Sequence, residues 1–212
     1  MTSSYSELRY KARQSLKGNW GKAVGAMLIL FVIEAVIGGL NEVSTFGNVI
    51  SLLVGGALTL GVVTFFLELA RAENPSVKRI FSGFPQFWKA FLLNLLIAIF
   101  TILWMLLLVI PGIIAAYRYS QAYYILKDNP EIAPLEAIRR SKELMAGKKG
   151  KLFVLHLTFI GWALLCIITL GIGYLWLAPY VIVTQAHFYD EISGRTPEPP
   201  APVEYQFTSF TS

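Results

Sequence analysis

Residues 88–127 read WKAFLLNLLIAIFTILWMLLLVIPGIIAAYRYSQAYYILK. From Ala90 to Ile110 there is no formally charged residue, which is about the length an α-helix needs to cross ~30 Å of hydrocarbon at ~1.5 Å per residue. A soluble core helix would rarely stay apolar on every face for so long. Pro111 lacks an amide hydrogen and Gly112 tolerates unusual backbone angles, so together they can turn the chain within a few residues. The stretch predicts a membrane-crossing helix, a Pro111-Gly112 break, and a second helix returning to the side the first came from.

Composition extends this reading to the whole chain. Of 212 residues, 55% are hydrophobic and 15% charged, against about 25% charged in an average soluble domain; the mean hydropathy is +0.58. The fold class is all-α, a polytopic membrane helical bundle. An outer-membrane barrel is excluded, because its strands would alternate apolar and polar with period two and these runs are continuous. The net charge of +5 implies no nucleic-acid partner, since the basic residues flank apolar runs and form no stripe on a folded domain. A single cysteine, Cys166, leaves no intrachain disulfide and no cysteine metal site. The first apolar run follows a leader too long and too charged for a simple signal peptide, so it is expected to remain as a span.

Six spans are expected, at about 23–40, 48–70, 90–110, 113–127, 152–170 and 174–189, within a single transmembrane domain over residues 1–194. Before them, Tyr5, Leu8, Ala12 and Leu16 recur at helical spacing. They suit a short helix lying on an anionic membrane surface, or a solvated leader whose charges only fix orientation. Asn41 to Gly47 reads as a connector. Pro134 to Ala146 has a first-turn proline, an early Glu136, a late Lys142 and a stop at Gly147, and its Leu135, Ile138 and Met145 suggest a second helix resting on the bilayer. Residues 195–212 are proline-rich and polar, and are expected to be disordered.

Five Lys and Arg precede the first span, four lie between the second and third, seven between the fourth and fifth, and Arg195 follows the sixth. Seventeen of eighteen therefore fall on one side, which should be cytoplasmic together with both termini. The hairpin is expected to repeat: Lys89-Ala-Phe-Leu-Leu-Asn-Leu95 aligns with Lys151-Leu-Phe-Val-Leu-His-Leu157, and Ser120-Gln-Ala-Tyr-Tyr124 with Thr184-Gln-Ala-His-Phe188. Glu73-Asn-Pro75 against Asp128-Asn-Pro130 is a thinner match. Three hairpins related as parallel repeats is the expected architecture.

Leu16-Lys-Gly-Asn-Trp20, Leu108-Val-Ile-Pro-Gly-Ile113 with Tyr117-Arg-Tyr119, Asp128-Asn-Pro130, Ala137-Ile138 with Ser141-Lys142, Phe159-Ile-Gly-Trp162 and Ala178-Pro-Tyr180 form a combination. In it the chain resembles the bacterial integral membrane family called domain of unknown function 975, over nearly all its length except the tail. It is also distantly similar to the membrane domain attached to some bacterial glycerophosphodiester phosphodiesterases. The resemblance implies a multi-pass bacterial plasma-membrane protein and brings no catalytic residues.

An ionisable side chain at membrane depth costs about 2.5 to 3.5 kcal/mol on insertion scales. Glu34 and Arg118 are placed at matched depth, ~9 Å from the outer boundary by helical rise, and are expected to pair. Such a pair would lock two hairpins, or serve a charged headgroup or coupling ion. Toward the cytoplasm, Glu68, Asn94, Gln121, His156, Gln185 and His187 form a second polar level, read as a vestibule or as interhelical hydrogen bonding. Tyr117, Tyr119, Tyr123 and Tyr124 read as an interfacial packing cluster.

No H-E-x-x-H and no phosphate-binding G-x-x-x-x-G-K-[ST] occurs, and Ser141 beside Lys142 reads as solvated, so neither catalytic residues, nor a metal, nor a cofactor is implied. The expected role is non-enzymatic binding of anionic lipid headgroups, or of a membrane-protein partner, on the cytoplasmic leaflet. The contacts would be Arg9, Lys11, Arg13, Lys17, Lys78, Arg79, Arg139, Arg140, Lys142, Lys148, Lys149 and Lys151. The alternative is a carrier or flippase-like protein using Glu34 and Arg118.

Overall fold

Apolar runs punctuated by Gly, Pro and Asn become ten α-helices, with no strand among the described residues. The structure is a computed structural model describing residues 3–43 and 46–195, with side chains described outside 40–49. Helix α1 is Tyr5–Leu16. It starts on a reciprocal cap: Ser4 Oγ accepts from the Glu7 amide at 3.2 Å, and the Glu7 carboxylate accepts from the Ser4 amide at 3.3 Å. Leu8, Ala12 and Leu16, one helical turn apart, are wholly buried. They pack on protein, chiefly against α10 (Tyr174–Ile192) and also α3 (Phe46–Ala70). The stripe expected to face lipid thus faces the bundle, since periodicity distinguishes apolar from polar surroundings but not core from bilayer.

Helix α2 is Trp20–Val43, so it runs into the expected 41–47 connector. Four segments are long and apolar enough to cross a membrane: Trp20–Gly39, Ile50–Ala70, Val77–Leu107 and Lys149–Ile168. The second is the central post, with 56% of its apolar stretch buried, while the other three bury 17% or less. Its Gly61 is a seat for the 3-10 turn Val77–Phe81: a Cβ there would lie 1.8 Å from the Ile80 carbonyl oxygen.

The hairpin turns at a different residue from the one expected. Helix α4 (Phe87–Leu107) ends at a single extended residue, Leu108 (φ −163°, ψ 143°), and α5 (Val109–Tyr119) begins at once. Pro111 sits in the first turn of α5, where a missing amide hydrogen leaves no bond unmade. Gly112 lets α5 lie against α4, because a Cβ would come within 2.2 Å of Met105 Cγ.

The expected helix over 113–127 is interrupted at Ser120 and Gln121, after which α6 runs Ala122–Asp128. Helix α7 (Pro134–Leu144) fills the gap. Its Ser141 hydroxyl donates to the Arg118 carbonyl at 2.7 Å and accepts from the Gln121 amide at 3.2 Å. Ser141 is completely buried, contrary to the solvated reading, because Pro134, Ala137, Ile138 and Ser141 form the covered face of α7. Leu135, expected on that face, is exposed.

Helices α8 (Lys149–Leu157) and α9 (Ile160–Ile168) are separated by Thr158 and Phe159. A turn over 169–173 then leads to α10, which extends past residue 189 and buries Val183, Ala186, His187 and Asp190. The matched sequence segments differ in continuity: 120–124 straddles the α5–α6 break, whereas 184–188 lies within unbroken α10. The expected disordered tail lies outside the described residues apart from Arg195.

Candidate functional site

Helices α3, α6 and α10 end close together, and Arg71, just past α3, joins all three. Its guanidinium donates to both Asp128 oxygens at 2.8 and 2.9 Å, and to Asp190 Oδ1 at 2.6 Å. Tyr189 donates its hydroxyl to Asp128 at 2.9 Å, and Arg195 pairs with Asp128 at 2.6 Å. Arg71, Asp128, Asp190 and Arg195 lie past the ends of the expected spans, and Tyr189 is the last residue of one. Burial alone would lift the Asp128 carboxyl, but the Arg71 hydrogen bonds and charge outweigh it and hold Asp128 below its usual range. Burial wins at Asp190, aided by the charge of Asp128 against the pull of Arg71, so Asp190 is raised. Alongside, Glu68 accepts from Arg79 and faces Lys127 at 3.6 Å. This cluster ties helix ends together.

The second polar level separates into distinct groups. Glu68 belongs to the charged cluster. His156 Nδ1 faces the Tyr117 hydroxyl at 3.2 Å, and His187 Nε2 faces Ser15 Oγ at 2.9 Å, bonds that join different helices. Gln121 is buried with its amide nitrogen donating to Ser120 Oγ at 2.9 Å. Only Asn94 and Gln185 share a space, a cleft of about 750 Å³ that Glu34, Thr59, Ser120 and Tyr123 also line. Tyr123 donates to Asn94 Oδ1 at 3.0 Å across it. Glu34 is exposed on α2, and no ion pair joins it to Arg118 among the described residues. Helical rise alone says nothing of the rotation of α2, which is apolar on nearly every face.

The basic residues also divide. Arg79 is held by Glu68, Arg139 and Arg140 share Glu136 at 2.8 Å each, and Lys151 pairs with Glu191 at 2.6 Å. Glu136 is drawn down to about 2 by hydrogen bonds from its two arginines. Lys148 donates to the Ile192 carbonyl at 3.2 Å and Lys11 to Ser3 Oγ at 3.4 Å. Arg9, Arg13, Lys17, Lys78, Lys142 and Lys149 have no ion-pair partner among the described residues. A second cavity of about 530 Å³ opens beside α1, with Arg9 and Arg13 on its wall and Trp20, Trp162, Trp176 and Tyr180 around it.

Sequence reasoning missed Arg71, Asp128 and Asp190 as a unit. A signal was present: aspartates at the ends of two returning segments and an arginine at the end of a third, all at one depth. No curated protein and no solved structure matches the chain. The family model described as "Protein of unknown function (DUF975)" matches residues 1–111 and 105–196, and the chain therefore belongs to that family.

Proposed function

We propose that this is a multi-pass bacterial plasma-membrane protein, threaded six times as three hairpins with both termini cytoplasmic, that acts without catalysis by binding anionic lipid headgroups at its basic end. What supports this reading best is the division of the cations. The fold occupies Arg71, Arg79, Arg139, Arg140 and Lys151 with carboxylates, while Arg9, Arg13, Lys17, Lys78 and Lys142 stay unpaired among the described residues at the end where lysines and arginines concentrate. Unpaired cations beside apolar helices attract the anionic leaflet, at roughly 1 kcal/mol each.

The test is retention of lipid by the full-length protein in nanodiscs mixing phosphatidylcholine and phosphatidylglycerol, read by native mass spectrometry. Phosphatidylglycerol should be enriched, and the enrichment should fall as salt is raised. Equal retention of the two lipids at every salt concentration overturns the reading.

A carrier is the second reading, favoured by the cleft that brings Glu34, Asn94 and Gln185 together. It expects Glu34→Gln to abolish solute or lipid movement across reconstituted vesicles while the helical spectrum is kept. Unchanged movement would remove it.

A further inference from the structure

The cavity beside α1 has a charged end and an apolar end. Tyr180 donates its hydroxyl to the Arg9 carbonyl oxygen at 3.4 Å, so α1 crosses α10 at that level. Gly173, also on the cavity wall, lies seven residues earlier, ~10 Å along the helix axis. The wall also includes Trp162, Leu165, Cys166, Trp176 and Leu177. At the charged end, Arg9 Nε is buried and has no hydrogen-bond partner among the described residues. Arg13 is one turn further along α1, on the same face. A buried cationic donor without an acceptor is unfavourable, and a guanidinium fork matches phosphate oxygens. An ordinary soluble anion would fill the arginines and leave the apolar length empty; an uncharged hydrocarbon would do the reverse.

We propose that this groove, between α1 and the α9–α10 hairpin, binds one anionic phospholipid, its phosphate on Arg9 and Arg13 and one acyl chain along Trp162, Leu165 and Trp176. This rests on the anionic-lipid reading above and narrows it from a diffuse basic surface to a single site.

The groove carries its own reporters, since three of the five tryptophans line it. The full chain with Trp88→Phe and Trp104→Phe is reconstituted in phosphatidylcholine containing increasing phosphatidylglycerol with brominated acyl chains, which quench indole fluorescence on contact. Quenching should saturate at a low mole fraction, whereas brominated phosphatidylcholine, meeting the exposed faces of Trp162 and Trp176 only as bulk lipid, should quench weakly and without saturation at the same fraction. Arg9→Gln with Arg13→Gln should raise the half-quenching fraction about tenfold or more. Arg9→Lys with Arg13→Lys should recover part of it, and Leu165→Phe should weaken quenching without removing charge. If Lys17→Gln with Lys142→Gln raises the half-point equally, or if the arginine pair has no effect, the groove site is overturned and diffuse attraction stands. If brominated phosphatidylglycerol and phosphatidylcholine quench alike at every salt concentration, both readings fall.

Discussion

Replacing Arg71 with alanine removes a cation that holds two buried carboxylates. The side chains of Asp128 and Asp190 are 3% and 1% exposed, and that of Arg71 is 16% exposed. Breaking a buried pair costs about 3 to 5 kcal/mol because the remaining charge is stranded. Arg195 still reaches Asp128, and Asp190 can take up a proton, so the lower limit, ~3 kcal/mol at pH 7, is the expected loss. The pH dependence has a definite sign. In the native protein Asp128 is lowered, so its contribution is present above its unfolded pKa and is lost as pH falls through the folded value. Asp190 is raised, so its contribution is fully present below its unfolded pKa and is lost as pH rises through the folded value. Without Arg71 both carboxyls move upward and both resemble Asp190. The penalty of Arg71→Ala should therefore shrink below about pH 4, where both are protonated even when unfolded, and grow toward neutrality. Adding Asp190→Asn should restore roughly half of the loss at pH 7. Reversible unfolding in mixed micelles, followed by circular dichroism at several pH values, measures this. A loss below about 1 kcal/mol at pH 7, or one independent of pH, would refute the assignment of Arg71 as the tie between helix ends.

Ser141→Ala should cost about 1 to 3 kcal/mol in the same assay by stranding the Arg118 carbonyl and the Gln121 amide, and Ser141→Thr should retain part of the stability if its methyl is accommodated. Gly61→Ala should prevent the Val77–Phe81 turn from seating on α3, since a Cβ would lie 1.8 Å from the Ile80 carbonyl oxygen; limited proteolysis should cut that turn faster in the variant than in the native protein. The Glu136 carboxyl should titrate near 2 by carbon NMR, and return to about 4.3 when Arg139 and Arg140 are both glutamine. The stabilisation from that pair is present above the unfolded pKa and lost as pH falls toward 2.

Helicity and the long apolar segments were legible because both are carried by local composition and length. The turn was misplaced because proline marks the start of a helix as readily as the gap before it: Pro111 belongs to α5, and Leu108 makes the turn. Ser141 was unreadable for another reason. Its neighbours Arg140 and Lys142 are exposed, and only the break between α5 and α6, a tertiary feature, gives a buried serine two backbone partners. Glu34 and Arg118 are matched by helical rise alone, and α2, apolar on nearly every face, gives no moment to fix the rotation of Glu34. The inner polar level reads in the sequence as a vestibule or as interhelical hydrogen bonding: the bonds of His156 and His187 fit the second, and of its six side chains only Asn94 and Gln185 line a common cleft.

The counting of charges along the chain and the pairing of charges in space lead to different places for lipid contact. By count, the stretch from Lys127 to Lys151 is the most cationic, with seven lysines and arginines. Yet Glu136 occupies Arg139 and Arg140, Glu68 faces Lys127, and Glu191 takes Lys151. Two of those charges are neutralised within α7 itself, Lys127 faces α3, and Lys151 ties α8 to α10. Helix α1 has the opposite arrangement. Its one carboxylate, Glu7, is turned back onto its own N-terminus, and its apolar face is consumed by α3 and α10, which leaves Arg9, Arg13 and Lys17 without carboxylate partners among the described residues. A headgroup phosphate competes poorly for a guanidinium already held by a carboxylate and well for one that is not. On the proposed reading, lipid recognition therefore belongs with α1, where a larger share of the cations lacks a carboxylate partner among the described residues.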